Sequence, residues 1–186
     1  MSTLSETVRI PVGYSSSFVE KIKHILTEAQ SKYGESDKNY TIIEIKIDNN
    51  ASQPGHWFPP NCKDILIFLT YQCLEDKDRA VYQIAHEIIH CLSPIGYANP
   101  KVLEEGLAEY FAIEYAKNNG HGNWSPDIDK YEKALKLFKK LIMIDSDIIR
   151  KVRLIQPIIS FITSDNLIET NDKIPSDLAD SLTMKF

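Results

Sequence analysis

The chain has no pair of cysteines two residues apart. Its three cysteines, Cys62, Cys73 and Cys91, are odd in number, so neither a disulfide framework nor a two-cysteine metal knuckle is expected, and free thiols fit a reducing compartment. No apolar run approaches the roughly 18 residues that a membrane-spanning helix needs. Residues 1–13 lack the apolar stretch of a secretory leader, so a cytoplasmic location is expected. An excess of positive charge is missing too. The 21 Lys and Arg stand against 26 Asp and Glu, for a net charge of -5, with the signs interleaved, so nucleic acid and membrane surfaces are not expected partners. Internal repeats and long linkers are absent. The 186 residues, 43% of them hydrophobic, read as one domain over 1–186, with a sheet-containing half at about 1–75 and a helical half at about 76–186.

What the chain does have is His86-Glu87-Ile88-Ile89-His90. Two histidines four apart on a helix project from one face and can share a metal ion, which is the H-E-x-x-H signature of zinc hydrolases. With His86 at 0° on a wheel of about 100° per residue, His90 falls near 40° and Glu87 near 100°. Val81, Ile84, Ala85, Ile88, Ile89 and Leu92 fall between about 160° and 300°. One face is core and the other is site. Cys91, near about 140°, is turned away from His90.

Elsewhere, Ser17-Phe18-Val19-Glu20 has the form of a capping box for an amphipathic helix that Gly34 stops. Residues 40–48 alternate as a half-buried strand with Ile43, Ile45 and Ile47 on the inner side. Residues 49–60 are rich in turn formers, and 64–70 form a second strand. His56, Trp57 and Phe58, just before that strand, are placed to line a substrate groove or to pack over the sheet, the second being the commoner use and the one expected. Asp76 or Asp78 can cap the motif helix, which Pro94 and Gly96 end. Asn99 and Pro100 then read as the cap and first position of the next helix, running to Lys117, and Ser125-Pro126 repeats the signal for a third. Residues 147–163 look helical with Pro157 as a kink or break, and Pro175-Ser176-Asp177 opens a last short helix expected to pack onto the core.

A catalytic zinc needs a third protein ligand and one open position. Glu104, Glu105 and Glu109 lie within six residues of one helix. Glu105 and Glu109 repel at i,i+4 with no lysine or arginine between them, a repulsion that a bound cation or a paired histidine would relieve. His90 near the end of its helix and Glu105 near the start of the next both sit within roughly 3 to 8 Å of the connecting loop, so they can meet at one ion.

His86-Glu87-x-x-His90 followed by Glu105-Gly106-Leu107-Ala108-Glu109-Tyr110-Phe111 resembles the gluzincin metallopeptidases, particularly the N-E-G-x-A-x-Y segment of their aminopeptidase branch. The resemblance spans about 45 residues, 65–111. It implies an α+β, zincin-like fold, with a small mixed sheet packed on the motif helix and a mainly helical C-terminal half. It also implies one zinc ion per chain held by His86, His90 and Glu105, with Glu109 behind a ligand histidine. The activity implied is a zinc-dependent peptidase that uses Glu87 as general base on a peptide or protein substrate. The strand at 65–70 would be the edge along which an extended peptide pairs. Fourteen residues separate His90 from Glu105, fewer than in the aminopeptidases, and no G-x-M-E-N-like segment occurs. The better comparison is therefore a small stand-alone gluzincin.

A metzincin arrangement needs a glycine and a third histidine where this chain has Ser93 and Gly96. The remaining downstream histidine, His121, lies in a glycine-flanked loop and reads as a surface residue. Candidates for the one donor that a tetrahedral oxyanion needs are Tyr97, Tyr115, His121, Tyr131 and Arg150, which the sequence does not rank. The alternative to an enzyme is a zinc-bound, non-catalytic module acting in protein binding, which the intact Glu87 disfavours.

Overall fold

The computed structural model describes residues 4–59, 61–95 and 100–186. The chain opens with β1 (Leu4–Arg9), α1 (Ser16–Tyr33), β2 (Thr41–Asp48), β3 (Gly55–Trp57) and β4 (Asp64–Thr70). These strands form one mixed sheet in the order β1-β2-β4-β3, with the first three parallel and β3 antiparallel to β4. Parallel neighbours cannot be joined by a tight turn, and α1 supplies the crossover from β1 to β2. Its buried stripe of Phe18, Ile22, Ile25, Leu26 and Ala29 is the one its spacing predicts.

The sheet corrects three expectations. β4 is paired on both sides, so the edge beside the motif helix is β3 and not residues 65–70. β3 lies inside the stretch read as a turn, and β1 carries only Leu4 and Val8 as buried positions, too few to show as a strand pattern. Within β2, a register shift between Ile42 and Glu44 breaks the alternation, so Ile42 and Ile45 are buried while Ile43 is half-buried.

The motif helix is α2 (Lys77–His90), and of its two candidate caps Asp76 is the one used, accepting from the Arg79 N–H at 2.9 Å. All six residues of the apolar face are buried as the wheel predicts. Gln83 fixes the helix to the sheet: its amide accepts from Thr70 N at 3.0 Å and donates to Thr70 Oγ1 at 2.7 Å. The helix ends on His90, with Cys91 as cap ahead of Pro94. Gly96, Tyr97 and Asn99 lie outside the described residues.

The helical half comprises α3 (Val102–Asn118), α4 (Asp129–Ile144), α5 (Ile148–Val152), α6 (Ser164–Thr170) and α7 (Ser176–Thr183). Several helix starts differ from the sequence signals. α3 begins after Pro100, with Lys101 as cap, because residues 100–102 pair with the end of the chain: Val102 N donates to Met184 O and Phe186 N to Pro100 O, both at 3.0 Å. α4 starts after Ile128, beyond Ser125-Pro126. α1 starts at Ser16 without a side-chain cap, since the Ser17 and Ser15 hydroxyls bond each other at 2.6 Å. Residues 147–163 are not one helix, because α5 stops at Val152, short of Pro157. The capping box that does form, Thr163 with Asn166, opens α6. α7 starts after Pro175 as expected, and its Leu178, Ala179 and Leu182 join a hydrophobic cluster that reaches back to Leu4. Cys73 and Cys91 are buried free thiols and Cys62 is half-buried. Among the described residues no helix is long and apolar enough to cross a membrane.

α3 lies between α2 and α4, and its approach to α4 is set by Gly106, next to Glu105. A Cβ there would stand 2.5 Å from Ala134 O and 2.8 Å from Phe138 Cβ, so glycine is required by closeness and not by backbone angle. Gly106→Ala should therefore cost about 1–3 kcal/mol of stability by overpacking. Urea unfolding measures this, and an unchanged midpoint would mean that α3 and α4 separate freely.

Candidate metal centre

His86 and His90 leave the last turn and a half of α2, and Glu105 leaves the first turn of α3. Their ligand atoms lie within 4.8 Å of one another. The two Nε2 atoms face each other at 3.3 Å, Glu105 Oε2 is 3.3 Å from His86 Nε2, and Glu105 Oε1 is 3.8 Å from His90 Nε2. Ligands held about 2.0–2.1 Å from a tetrahedral ion are separated by about 3.3 Å, so the triad has the spacing of three corners of such a site. Among the described residues Glu105 Oε2 is buried with no hydrogen bond, a costly state for a carboxylate oxygen that a cation would remove. Two imidazoles with one carboxylate is also the donor set of a catalytic zinc with one position left for water. The residues present fit a metal ion.

Behind the triad, each histidine has its own carboxylate. Glu109 Oε1 is 3.3 Å from His86 Nδ1, while its Oε2 accepts from the Tyr82 hydroxyl at 2.7 Å. His86 thus stands between Glu105 and Glu109, the pair whose repulsion the sequence exposes. His90 Nδ1 donates to Glu104 Oε1 at 2.8 Å, and the Ser160 hydroxyl donates to the other Glu104 oxygen. Glu104 was one of three carboxylates in the segment, but nothing local distinguishes its role, and Ser160 comes from the turn at Ile159–Phe161, far along the chain. A carboxylate on the outer nitrogen fixes the tautomer that turns the inner one to a metal.

Glu87 lies beside this cluster, only 3% exposed. His56 Nδ1 donates to Glu87 Oε2 at 2.9 Å, and the His56 ring stacks on His90 with centroids 5.4 Å apart. The expectation that His56, Trp57 and Phe58 pack over the sheet therefore needs correcting. Phe58 packs on Tyr40, Trp57 is 43% exposed, and His56 enters the site because β3 runs along β4 beside α2.

The site opens into a cleft of about 540 Å³. Of the candidate oxyanion donors, Tyr131 lines it, with its ring 6.0 Å from that of His86. Burial and the charges of Glu105, Glu87 and Glu109 hold its phenol well above the usual range, so it stays protonated. Tyr115 bonds His24 at 2.7 Å in the core. Arg150 donates to Ser31 O. His121 links Lys21, at 2.6 Å, to Asp78, at 2.7 Å, and takes no part in the triad. Tyr97 lies outside the described residues. No family model, curated protein or solved structure matches the chain.

Without metal, the buried charges must compensate one another. Burial pulls His86 down, but Glu105, Glu109 and Glu87 outweigh it and raise the imidazole well above its ordinary value. Burial likewise lowers His90, and Glu105 with Glu104 raise it to about 9. Glu105 moves the opposite way: burial raises it, and His90 with His86 bring it below the carboxylate range. A histidine whose folded value is raised stabilises the fold fully below its ordinary 6.5, and loses that stabilisation as pH climbs through the folded value. The melting temperature of chelator-treated protein should therefore fall between pH 6.5 and about 9, whereas zinc-loaded protein, whose imidazoles are already neutral, should lack this dependence. Parallel melting curves of the two forms would count against the imidazolium cluster.

Proposed function

We propose that the protein is a zinc-dependent peptidase of zincin-like, gluzincin type, working in a reducing compartment such as the cytoplasm on a peptide or protein substrate. The observation that carries this reading is the position of Glu87, which is adjacent to three converging metal donors, is not one of them, and is oriented by its own hydrogen bond. A metal-holding site alone would not need that carboxylate.

A zinc ion held by His86, His90 and Glu105 would supply a Lewis acid and lower the pKa of a water toward about 7. The chain's own residues do the rest. With Oε2 engaged by His56, Glu87 presents Oε1 to take a proton from a water in the cleft and return it to the leaving amine. Glu109 and Glu104 keep the Nε2 atoms of His86 and His90 inward. Tyr131, held protonated, is the donor for the oxyanion that forms as the carbonyl carbon becomes tetrahedral. β3 offers its outer edge to an extended peptide.

Two measurements test the proposal. Elemental analysis should find about one zinc per chain, lost in Glu105→Ala, retained in His121→Ala, and weakened about 10- to 100-fold in Glu104→Ala and Glu109→Ala. Absence of zinc after reconstitution removes the proposal. On zinc-loaded samples, Glu87→Gln should keep its metal yet lose at least about 100-fold of the turnover of a mixed-sequence peptide library. Undiminished cleavage by that variant would refute the assigned base, and no cleavage by either protein would favour the binding-module reading.

A further inference from the structure

We infer that the cleft contains a carboxylate-binding subsite built on Arg79, which recognises an acidic group of the peptide two or three residues from the bond that is cut. The inference rests on the peptidase reading for the word peptide, but the subsite stands on its own geometry.

Arg79 lies seven residues before His86 in α2, which brings it back to about 20° on the wheel that puts His86 at 0° and His90 near 40°. It therefore points out of the same face, two turns away, about 10 Å along the helix axis. That distance equals about three residues of extended chain. Arg79 lines the same cleft as the triad, and among the lining residues it is the one lysine or arginine, set against Glu87, Glu104, Glu105, Glu109 and Asp127. A cation in a cleft walled by carboxylates, paired only through Nε with Asp76 at 3.4 Å, stands out as a binding element for an anion.

Its guanidinium is fixed from one side and free on the other. Asp76, the cap of α2, accepts from the Arg79 backbone N–H through Oδ1 and places Oδ2 3.4 Å from Nε. Among the described residues Nε is buried and makes no hydrogen bond. The group lies over the Trp124 ring, 5.1 Å from its centroid, and Trp124 stacks on Tyr82 at 5.1 Å and an interplanar angle of 14°. Cation–π contact and the Asp76 neighbour hold the fork in one orientation before any ligand arrives. Among the described residues the two terminal nitrogens donate no hydrogen bond, which leaves a planar pair of donors of the shape that binds a carboxylate through both oxygens. Asp127 lines the same cleft, and among the described residues it does not pair with Arg79.

Two sources present this chemistry: the C-terminal carboxylate of a short peptide and the side chain of Asp or Glu within a longer one. The test uses a mixed-sequence peptide library made once as free acids and once as amides, and a second pair with glutamate or glutamine at each position in turn. Zinc-loaded wild type should cleave one member of a pair faster, the acid over the amide for a terminal carboxylate or Glu over Gln at one fixed position for a side chain. Arg79→Gln should reduce that ratio of kcat/KM by about 10- to 100-fold, the loss expected for a charge-assisted pair of hydrogen bonds. Arg79→Lys, which keeps the charge without the fork, should fall between. Equal ratios in wild type, or a ratio unmoved by Arg79→Gln in protein that retains zinc, would overturn the subsite. If wild type cleaves nothing, the peptidase reading fails and binding decides the subsite. The same peptides would then be titrated into zinc-loaded Glu87→Gln while tryptophan fluorescence is followed, Trp124 being in contact with Arg79. Carboxylate-dependent affinity that disappears in Glu87→Gln/Arg79→Gln upholds the subsite, and affinity blind to the carboxylate removes it.

Discussion

Burying two imidazoles and four carboxylates between the ends of two helices is the most expensive thing this chain does, and its architecture is arranged around it. His86, Glu87, His90, Glu104, Glu105 and Glu109 are all buried. A lone charge in that position costs several kcal/mol, so the cluster persists only if every member finds a partner. The structure meets that demand one group at a time: His56 for Glu87, Glu104 for the outer nitrogen of His90, Glu109 for that of His86, and Tyr82 and Ser160 for the second oxygens of Glu109 and Glu104. Among the described residues one buried carboxylate oxygen is left over, and it belongs to Glu105, the residue that faces both inner nitrogens.

Each partner is supplied by a different part of the fold. His56 requires β3 at the sheet edge, Ser160 the turn after α5, and Tyr131 the start of α4. Glu104, Glu105 and Glu109 require α3 to lie close along α2, an approach that Gly106 permits on the opposite side by letting α4 touch its backbone. Gln83, bonded twice to Thr70, holds α2 at a fixed depth against β4. The site is therefore a junction of elements distant in sequence. Its rigidity comes from ordinary core packing on the far face of the motif helix.

That division explains what could be read from the chain and what could not. The α2 core face, the convergence of His86 and His90, and the approach of Glu105 are consequences of helical periodicity and of a short connection between two helices, both visible in sequence. Asp76 as cap and the final helix were legible for the same reason. The roles of Glu104, His56 and Ser160 were not, because each depends on a contact between segments far apart, with no periodic signature. β3, three residues long and set among turn formers, has too little pattern to announce itself, and mistaking β4 for the edge followed from missing it. The helix starts assigned at Ser17, Pro100 and Ser125 failed differently. At Pro100 the local cap signal was overruled by pairing with another stretch, since residues 100–102 bond the end of the chain, and at Ser17 the hydroxyl was taken up by Ser15.

In the proposed reaction β3 also joins substrate pairing to the orientation of the base. One of its backbone edges is bonded to β4, and among the described residues the other is the outer margin of the sheet beside the cleft. Its middle residue, His56, holds the carboxylate of Glu87. A peptide paired to that margin would lie one strand spacing, about 4.8 Å, from the backbone that carries His56. Any shift of β3 on binding would then be felt at Glu87 through a single 2.9 Å hydrogen bond. A three-residue strand with one neighbour is the least constrained strand of the sheet. In the proposed reaction, the residue that orients the base therefore sits on the sheet element most easily adjusted by substrate, and Arg79, on the rigid helix opposite, gives that substrate a fixed point to adjust against.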